Sequence, residues 1–286
     1  MRYGITMFAT DVSIDIVELA REAEARGLQS LWLPEHTHIP TSRRTPPAAG
    51  GDELGEEYKR CLDPLVALGA VASATTTLRL GTGILLAAQR EPIVTAKAVA
   101  TLDHLSGGRA ALGVGFGWNE DELEHHGVSM PERRAVARER LMAMQALWAD
   151  DEASFEGEYV RFSSSWSWPK PVQRGPDGRP RVPVLHGGAA GPRLFAHIAE
   201  YGDGWIPIGG AGLTEAIPRL REAVAGAGRD PALLEVIPFG SIPDAGKLDH
   251  FERIGVTECV FRLPSAPRDV ILPLLDDQAA LVASHR

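Results

Sequence analysis

Cysteine is nearly absent: the 286 residues hold two, Cys61 and Cys259. They are far apart and form no C-x-x-C pair, so neither a structural zinc site nor a disulfide framework is indicated. Lysine is scarce as well. Only four of the 29 basic residues are lysines (Lys59, Lys97, Lys170 and Lys247), and they are scattered. With a net charge of −9 and no basic block, the chain lacks the clustered cations that neutralise nucleic-acid phosphates. Long apolar runs are also missing. The longest uncharged stretch, Pro64–Leu78, carries three threonines and is shorter than the ~18–20 residues that span a bilayer. Asp11 interrupts the N-terminus too early for a signal-peptide apolar region. Hydrophobic residues at 44% and charged residues at 23% give the balance of an ordinary globular protein. A soluble, cytoplasmic protein acting on a small molecule, with no nucleic-acid or membrane partner, is expected.

Short β-branched runs bounded by glycine or proline alternate with amphipathic stretches. Eight strands are predicted to start near Tyr3, Ser30, Leu78, Ala110, Val182, Gly204, Val236 and Glu258. A first helix, capped by Asp11 or Ser13, should run to Arg26 and stop at Gly27. Ala137, Leu141, Met144 and Trp148 fall on one helical stripe and read as core. Two spacings exceed a βα unit and predict insertions, at about residues 37–60 and 151–180. The first holds Pro40, Pro46, Pro47, Gly50 and Gly51 and reads as a mobile loop. The second begins with a hairpin over Ser154–Phe162, turning at Glu156-Gly157, and continues through Trp166-Ser167-Trp168-Pro169. Loops of that length are usually functional lids or disordered. No repeat or interdomain linker is found. Eight parallel strands with helices between them predict an α/β fold, a single (β/α)8 TIM barrel over residues 1–286, rather than a doubly wound sheet. Its chemistry belongs at the C-terminal strand ends.

The second strand ends in Leu33-Pro34-Glu35-His36-Thr37-His38. A carboxylate beside an imidazole suits proton transfer, because histidine titrates near neutral pH; either residue also serves as a loop cap. The glycines of Leu80-Gly81-Thr82-Gly83-Ile84 mark a bulge, a close ligand approach or tight barrel packing. The fourth strand runs into Gly113-Val114-Gly115-Phe116-Gly117-Trp118-Asn119. This is G-x-G-x-G on a late strand, not the G-x-G-x-x-G of a dinucleotide fold. It leaves space at the barrel mouth beside the Asn119 amide. The fifth strand ends in His186-Gly187-Gly188-Ala189-Ala190-Gly191, a glycine turn that either receives phosphate on backbone N–H groups or simply turns.

W-L-P-E-H at Trp32–His36, L-R-L-G-T-G-I-L-L at Leu78–Leu86, and L-D-H-L-S-G-G-R at Leu102–Arg109 occur in order. G-V-G-F-G-W-N-E at Gly113–Glu120, H-G-G-A-A-G, and A-E-Y-G-D-G-W-I-P at Ala199–Pro207 follow them. Together, over nearly the whole chain, they resemble the luciferase-like monooxygenase family in its coenzyme F420-dependent branch. The resemblance implies an oxidoreductase that moves hydride between the deazaflavin and a small organic substrate. It implies a ring held at the barrel mouth over a bulge with a non-proline cis peptide, here Gly83-Ile84. His36 would stand near the ring's reactive carbon, Asn119 would contact the ring, and Gly187-Gly188 would receive the coenzyme phosphate. Related sugar-phosphate dehydrogenases carry a glutamate where Phe116 stands, so a more apolar substrate is implied. Trp118, Trp166 and Trp168 would line its pocket, or serve as packing anchors. The family commonly forms dimers, so a homodimer is expected.

Three other functions compete. FMN is the alternative coenzyme, for a luciferase-like monooxygenase. A zinc-dependent barrel hydrolase would use His36, His38 and His186, but no histidine stands at the sixth strand end and no aspartate at the eighth. A non-catalytic flavin-binding protein would be expected to lose barrel elements. The main expectation remains F420 chemistry with His36 as proton donor or acceptor, assisted by Glu35, and no metal.

Overall fold

A computed structural model describes residues 1–46 and 53–285. The chain opens with β1 (Arg2–Thr6), α1 (Ile16–Ala25), β2 (Ser30–Leu33), α2 (Glu56–Arg60), α3 (Pro64–Ala74) and β3 (Arg79–Leu86). Then come α4 (Pro92–Ser106), β4 (Ala110–Gly115), α5 (Glu120–His125) and α6 (Arg133–Ala149). A hairpin of β5 (Ala153–Glu156) and β6 (Arg161–Ser165) precedes β7 (Val184–Gly187), α7 (Pro192–Tyr201), β8 (Gly204–Ile206) and α8 (Leu213–Gly226). The chain finishes with β9 (Glu235–Val236), β10 (Phe239–Ser241), α9 (Ala245–Ile254), β11 (Glu258–Arg262) and α10 (Arg268–His285).

Helix starts follow capping chemistry. The first cap is Asp15, not Asp11 or Ser13, and its carboxylate accepts from the Val17 and Glu18 amides. Asp63 and Glu91 cap α3 and α4 in the same way, each ahead of a proline whose missing N–H would be unsatisfied there anyway.

Every pairing in the main sheet is parallel, and neighbours follow chain order. A doubly wound sheet would reverse that order at a switch point; this one does not. β9 and β10 are two halves of one strand, interrupted at Ile237-Pro238. On one side Ile237 N donates to Trp205 O and Phe239 N to Pro207 O. On the other, Thr257 N donates to Val236 O and Val260 N to Pro238 O. The segment thus bonds to both neighbours and the curled sheet closes. Pro238 has no N–H to contribute, which breaks the ladder at that point.

Alternation along the strands sorts side chains into two layers. Trp32, Ala111, Leu185, Ile206, Ile237, Phe239 and Val260 pack together inside the barrel, with Ile84 against them. Leu112 and Val114 of β4 face the layer between sheet and helices. So does the expected α6 stripe, whose Trp148 donates to Ala96 O at 2.9 Å.

The N-terminal end of the barrel is closed by buried charge. Glu258 accepts from Trp32 Nε1 at 2.7 Å, Arg2 Nε at 2.9 Å and Arg79 Nη1 at 3.2 Å. Arg79 also grips Glu235 through two 2.7 Å bonds. Burial works to raise the Glu235 carboxyl, but Arg79 and Arg2 overcome it and hold the group below its usual range.

The second long segment lies at this same end. Lys170 Nζ donates to Leu147 O and Asp150 O at the C-terminus of α6. Asp103 accepts from Val172 N and Gln173 N, and Gln173 Nε2 donates to Ala110 O at the start of β4. The expectation of a lid over the active face is therefore corrected: this segment is pinned to the opposite end. In the first insertion, Pro47, Gly50 and Gly51 lie outside the described residues. Arg44, just before them, is tied to Asp121 and Glu124 of α5. Among the described residues no helix is long and apolar enough to cross a membrane.

Candidate active site

The extended chain leaving β2 points successive side chains in opposite directions, which separates Glu35 from His36. Glu35 turns inward and is almost fully buried. It accepts from Leu86 N at 2.6 Å and Arg90 Nε at 2.5 Å, and Arg90 continues to Asp63. Burial raises its carboxyl above the usual range, and Arg90 offsets this only in part. The expected assistance of His36 by Glu35 is thus corrected, because Glu35 is committed to holding the end of β3.

His36 has another partner. Its Nδ1 lies 2.9 Å from Glu122 Oε2 and 3.1 Å from Oε1, with side chains only 6% and 1% exposed. Glu122 comes from α5, 86 positions away, and has no arginine or lysine partner among the described residues. The Trp118 ring meets His36 edge-on at 5.9 Å, and Tyr58 packs at 5.4 Å. Cys61 clamps the backbone, accepting from His36 N at 3.2 Å and donating to His36 O at 3.3 Å. Burial pushes that thiol up to about 11, so it is a neutral strut. Glu122 was legible as one of three acids, Glu120 to Glu122, opening a helix just after a barrel strand end.

Asn119, immediately after Trp118, is fully buried, and neither atom of its amide has a hydrogen-bond partner. It precedes α5 without capping it. An orphaned buried amide costs about 1–3 kcal/mol, a cost that a bound polar edge removes.

The expected backbone irregularity in β3 is present. Between Thr82 and Leu85 the pairing with β4 slips by one residue, and the Gly83-Ile84 peptide is cis. The bulge aims the Ile84 side chain into a socket between strands. A Cβ on Gly115 would overlap Ile84 Cδ1, and one on Gly187 would stand 3.0 Å from Ile84 Cγ2. These glycines make room for Ile84. Gly188, at φ 142°, accepts from Trp205 Nε1 at 2.8 Å through its carbonyl, and the turn enters α7 without a side-chain cap.

Three expected pocket residues lie elsewhere. Phe116 continues the outward alternation of β4 and packs between sheet and helices, 6.1 Å from His186 and 5.1 Å from His197. It therefore says nothing about the substrate. Trp166 and Trp168 are 77% and 58% exposed at the far end, where Lys170 stands over the Trp168 ring. Of the tryptophans named from the sequence, Trp118 alone adjoins His36. The histidines of the hydrolase alternative also diverge. His38 pairs with His125 on the surface at 2.8 Å, and His186 is buried behind the sheet. Among the described residues no three His, Cys, Asp or Glu side chains form a group that could hold a metal.

A cleft of about 500 Å³ lined by Phe8, Glu57, Ser241 and Arg262 opens at this face, and Phe8 packs on Tyr58 at 4.7 Å. A cavity of about 740 Å³ at the other end touches Arg181, Asp203 and Glu235, which are already paired.

A parallel barrel with an imidazole–carboxylate pair and an unpartnered amide at its C-terminal face makes this the candidate enzyme site. Comparison with known proteins gives its class. The luciferase-like monooxygenase family model matches residues 9–242, so the chain belongs to that family and is an oxidoreductase. A Mycobacterium tuberculosis relative, an uncharacterised protein, is 42% identical over 286 residues, 99% of each chain. The F420-dependent glucose-6-phosphate dehydrogenase of Kineococcus radiotolerans is 31% identical over 226 residues, 75% of this chain but 59% of that enzyme. Among solved structures, monooxygenase RslO1 from Streptomyces bottropensis superposes with a TM-score of 0.77 at 20% identity, covering 100% of this chain and 99% of that one.

Proposed function

We propose that the chain moves a hydride between coenzyme F420 and a small organic substrate at the C-terminal face, with FMN as the alternative coenzyme. The observation that carries this is the Asn119 amide, buried without a partner on either atom beside the His36–Glu122 pair. The residues present fit such a group. Asn119 can both donate to and accept from a ring edge, Ile84 offers an apolar bulge beneath it, and the turn after Gly187-Gly188 leads into the uncapped N-terminus of α7, which favours an anion. When bound, the coenzyme supplies the redox chemistry. An F420-dependent relative at 31% identity supports this coenzyme over FMN.

The chain's own part is positioning and proton handling. Glu122 holds Nδ1 of His36 and so fixes the ring, leaving Nε2 to exchange a proton. Trp118 and Tyr58 cover the imidazole and limit water. Phe8, Tyr58 and Trp118 give the surroundings an aromatic character that suits an apolar substrate.

A binding titration tests the reading. F420 should bind in the micromolar range or tighter and FMN at least about tenfold more weakly, ~1.4 kcal/mol. Equal or tighter FMN binding transfers the assignment to FMN, and failure of both to bind overturns it.

A further inference from the structure

Three arginines stand where helix electrostatics disfavours them. Arg133 and Arg134 occupy the first turn of α6 and Arg193 the first turn of α7, and neither turn contains an acid. The N-terminus of a helix carries partial positive charge and favours anions. Several other arginines at this face are neutralised, Arg44 by Asp121 and Glu124, Arg90 by Glu35 and Asp63, and Arg138 by Glu200, while Arg140 donates to Ala88 O. Among the described residues, Arg133, Arg134 and Arg193 pair with no carboxylate. Glu132, the nearest acid in sequence, accepts from Ser129 Oγ instead.

Their hydrogen-bonding capacity is also unspent. Arg134 lies over the Phe116 ring at 4.3 Å, with its Nη1 buried and lacking an acceptor. Nε of Arg133 is likewise buried and unpaired, although its Nη1 donates to Met130 O. Phe116 in turn packs on His197 of α7 at 5.1 Å, so the guanidinium of Arg134 rests in the seam between the two helices. Burial, then the charges of Arg133 and Arg193, lower the Arg134 pKa. The three like charges thus act on one another where the first turn of α6 meets α7, the helix that follows the turn Gly187–Gly191.

We propose that Arg134 and Arg193, with Arg133 beside them, clamp an anionic group, a phosphate or carboxylate, of the ligand bound at that turn. The position next to Gly187-Gly188 points to the coenzyme's phosphate-bearing tail as the source, and only that attribution rests on the coenzyme reading above. The clamp goes beyond a backbone cradle because it makes binding depend on side-chain charge, and hence on salt.

The test uses the full chain and four probes: F420, its phosphate-free deazaflavin fragment, FMN and inorganic pyrophosphate. Each is titrated at low and moderate salt against wild type, Arg134→Gln, Arg193→Gln and the remote control Arg174→Gln. Each clamp substitution should weaken pyrophosphate and the phosphate-bearing coenzyme by about tenfold to a hundredfold, the loss of one charge-assisted bond. The fragment should bind wild type and variants alike, and the control should match wild type. Thermal melts confirm that the variants are folded; Arg134→Lys, keeping charge, should recover part of the loss. The proposal is overturned if folded variants bind pyrophosphate within about twofold of wild type, or lose the fragment as severely as the whole coenzyme. If neither F420 nor FMN binds while pyrophosphate binds wild type and not the variants, the clamp stands and the coenzyme reading falls. If coenzyme affinity is unchanged while pyrophosphate binding is lost, the clamped anion belongs to the substrate and the tail attribution fails.

Discussion

His186 offers a quantitative check on the packing behind β7. Its ring is fully buried, 4.9 Å from the Tyr201 ring, and neither nitrogen has a partner. Burial, with smaller contributions from His197 and Arg134, pushes its pKa down from 6.5 to about 3. The folded chain therefore holds a neutral imidazole across a range where the unfolded chain binds a proton. Because the folded value is depressed, stability is intact above pH 6.5 and declines as pH falls from there toward 3. Each pH unit in that window removes about 1.4 kcal/mol, so the loss by pH 5 is about 2 kcal/mol. His186→Met removes the proton site while keeping similar volume. At pH 8 the variant should be as stable as wild type or slightly more so, since a partnerless polar group has been replaced. Urea midpoints at pH 8, 7, 6 and 5 give the assay. His197 and His126 also titrate below their ordinary value on burial, but they are common to both proteins and cancel in the difference. The stability gap should widen in favour of the variant by about 2 kcal/mol between pH 7 and pH 5. Parallel curves would refute the reasoning and show that water or a rotated ring solvates His186.

Other perturbations address the front of the barrel. His36→Ala should lower turnover by about 10²–10⁴-fold, the usual share of general acid–base catalysis, while coenzyme affinity falls much less. Rapid-mixing absorbance of bound coenzyme separates the two, and normal turnover with collapsed binding would make His36 a positioning residue. Gly115→Ala should displace Ile84 and cost about 1–3 kcal/mol, with weakened coenzyme binding, read by urea melts and titration; Gly127→Ala, with open space around its Cβ, controls for general damage only after correction for its positive φ. Arg90→Ala leaves the buried Glu35 carboxylate uncompensated and should cost about 3–5 kcal/mol, seen as a lowered melting temperature that partly recovers in Glu35→Gln/Arg90→Ala.

Much of the fold was legible because its signals are local. Strand runs, the Glu156-Gly157 hairpin and the stop at Gly27 depend on residues close in sequence. The bulge was legible in the strand glycines as one of three readings, whereas the cis peptide at Gly83-Ile84 came only through family resemblance. What failed was direction and distance. Glu35 was chosen as the partner of His36 for adjacency, yet neighbours in extended chain face opposite ways. The true partner, Glu122, is brought in by the helix after β4. Phe116 was placed at the mouth because related sugar-phosphate dehydrogenases carry a glutamate there, but Val114 before it already pointed outward, and alternation carries Phe116 the same way. Trp166 and Trp168 lie at the wrong end for a lid because Asp103, 69 and 70 positions away, and the C-terminus of α6, 20 and 23 positions away, tether their segment through contacts that no local pattern announces.

The socket around Ile84 has a consequence for how this chain varies through descent. Two of its walls come from β4 and β7, strands far apart in sequence, at Gly115 and Gly187, which have no side chain to yield. A methyl group added at Gly115 overlaps the end of the Ile84 side chain, and one at Gly187 presses on its Cγ2, so either must be met by movement or shrinkage at position 84. Substitutions here must therefore arrive as pairs. In an alignment of relatives, a non-glycine at either wall should co-occur with alanine or another small residue at the bulge.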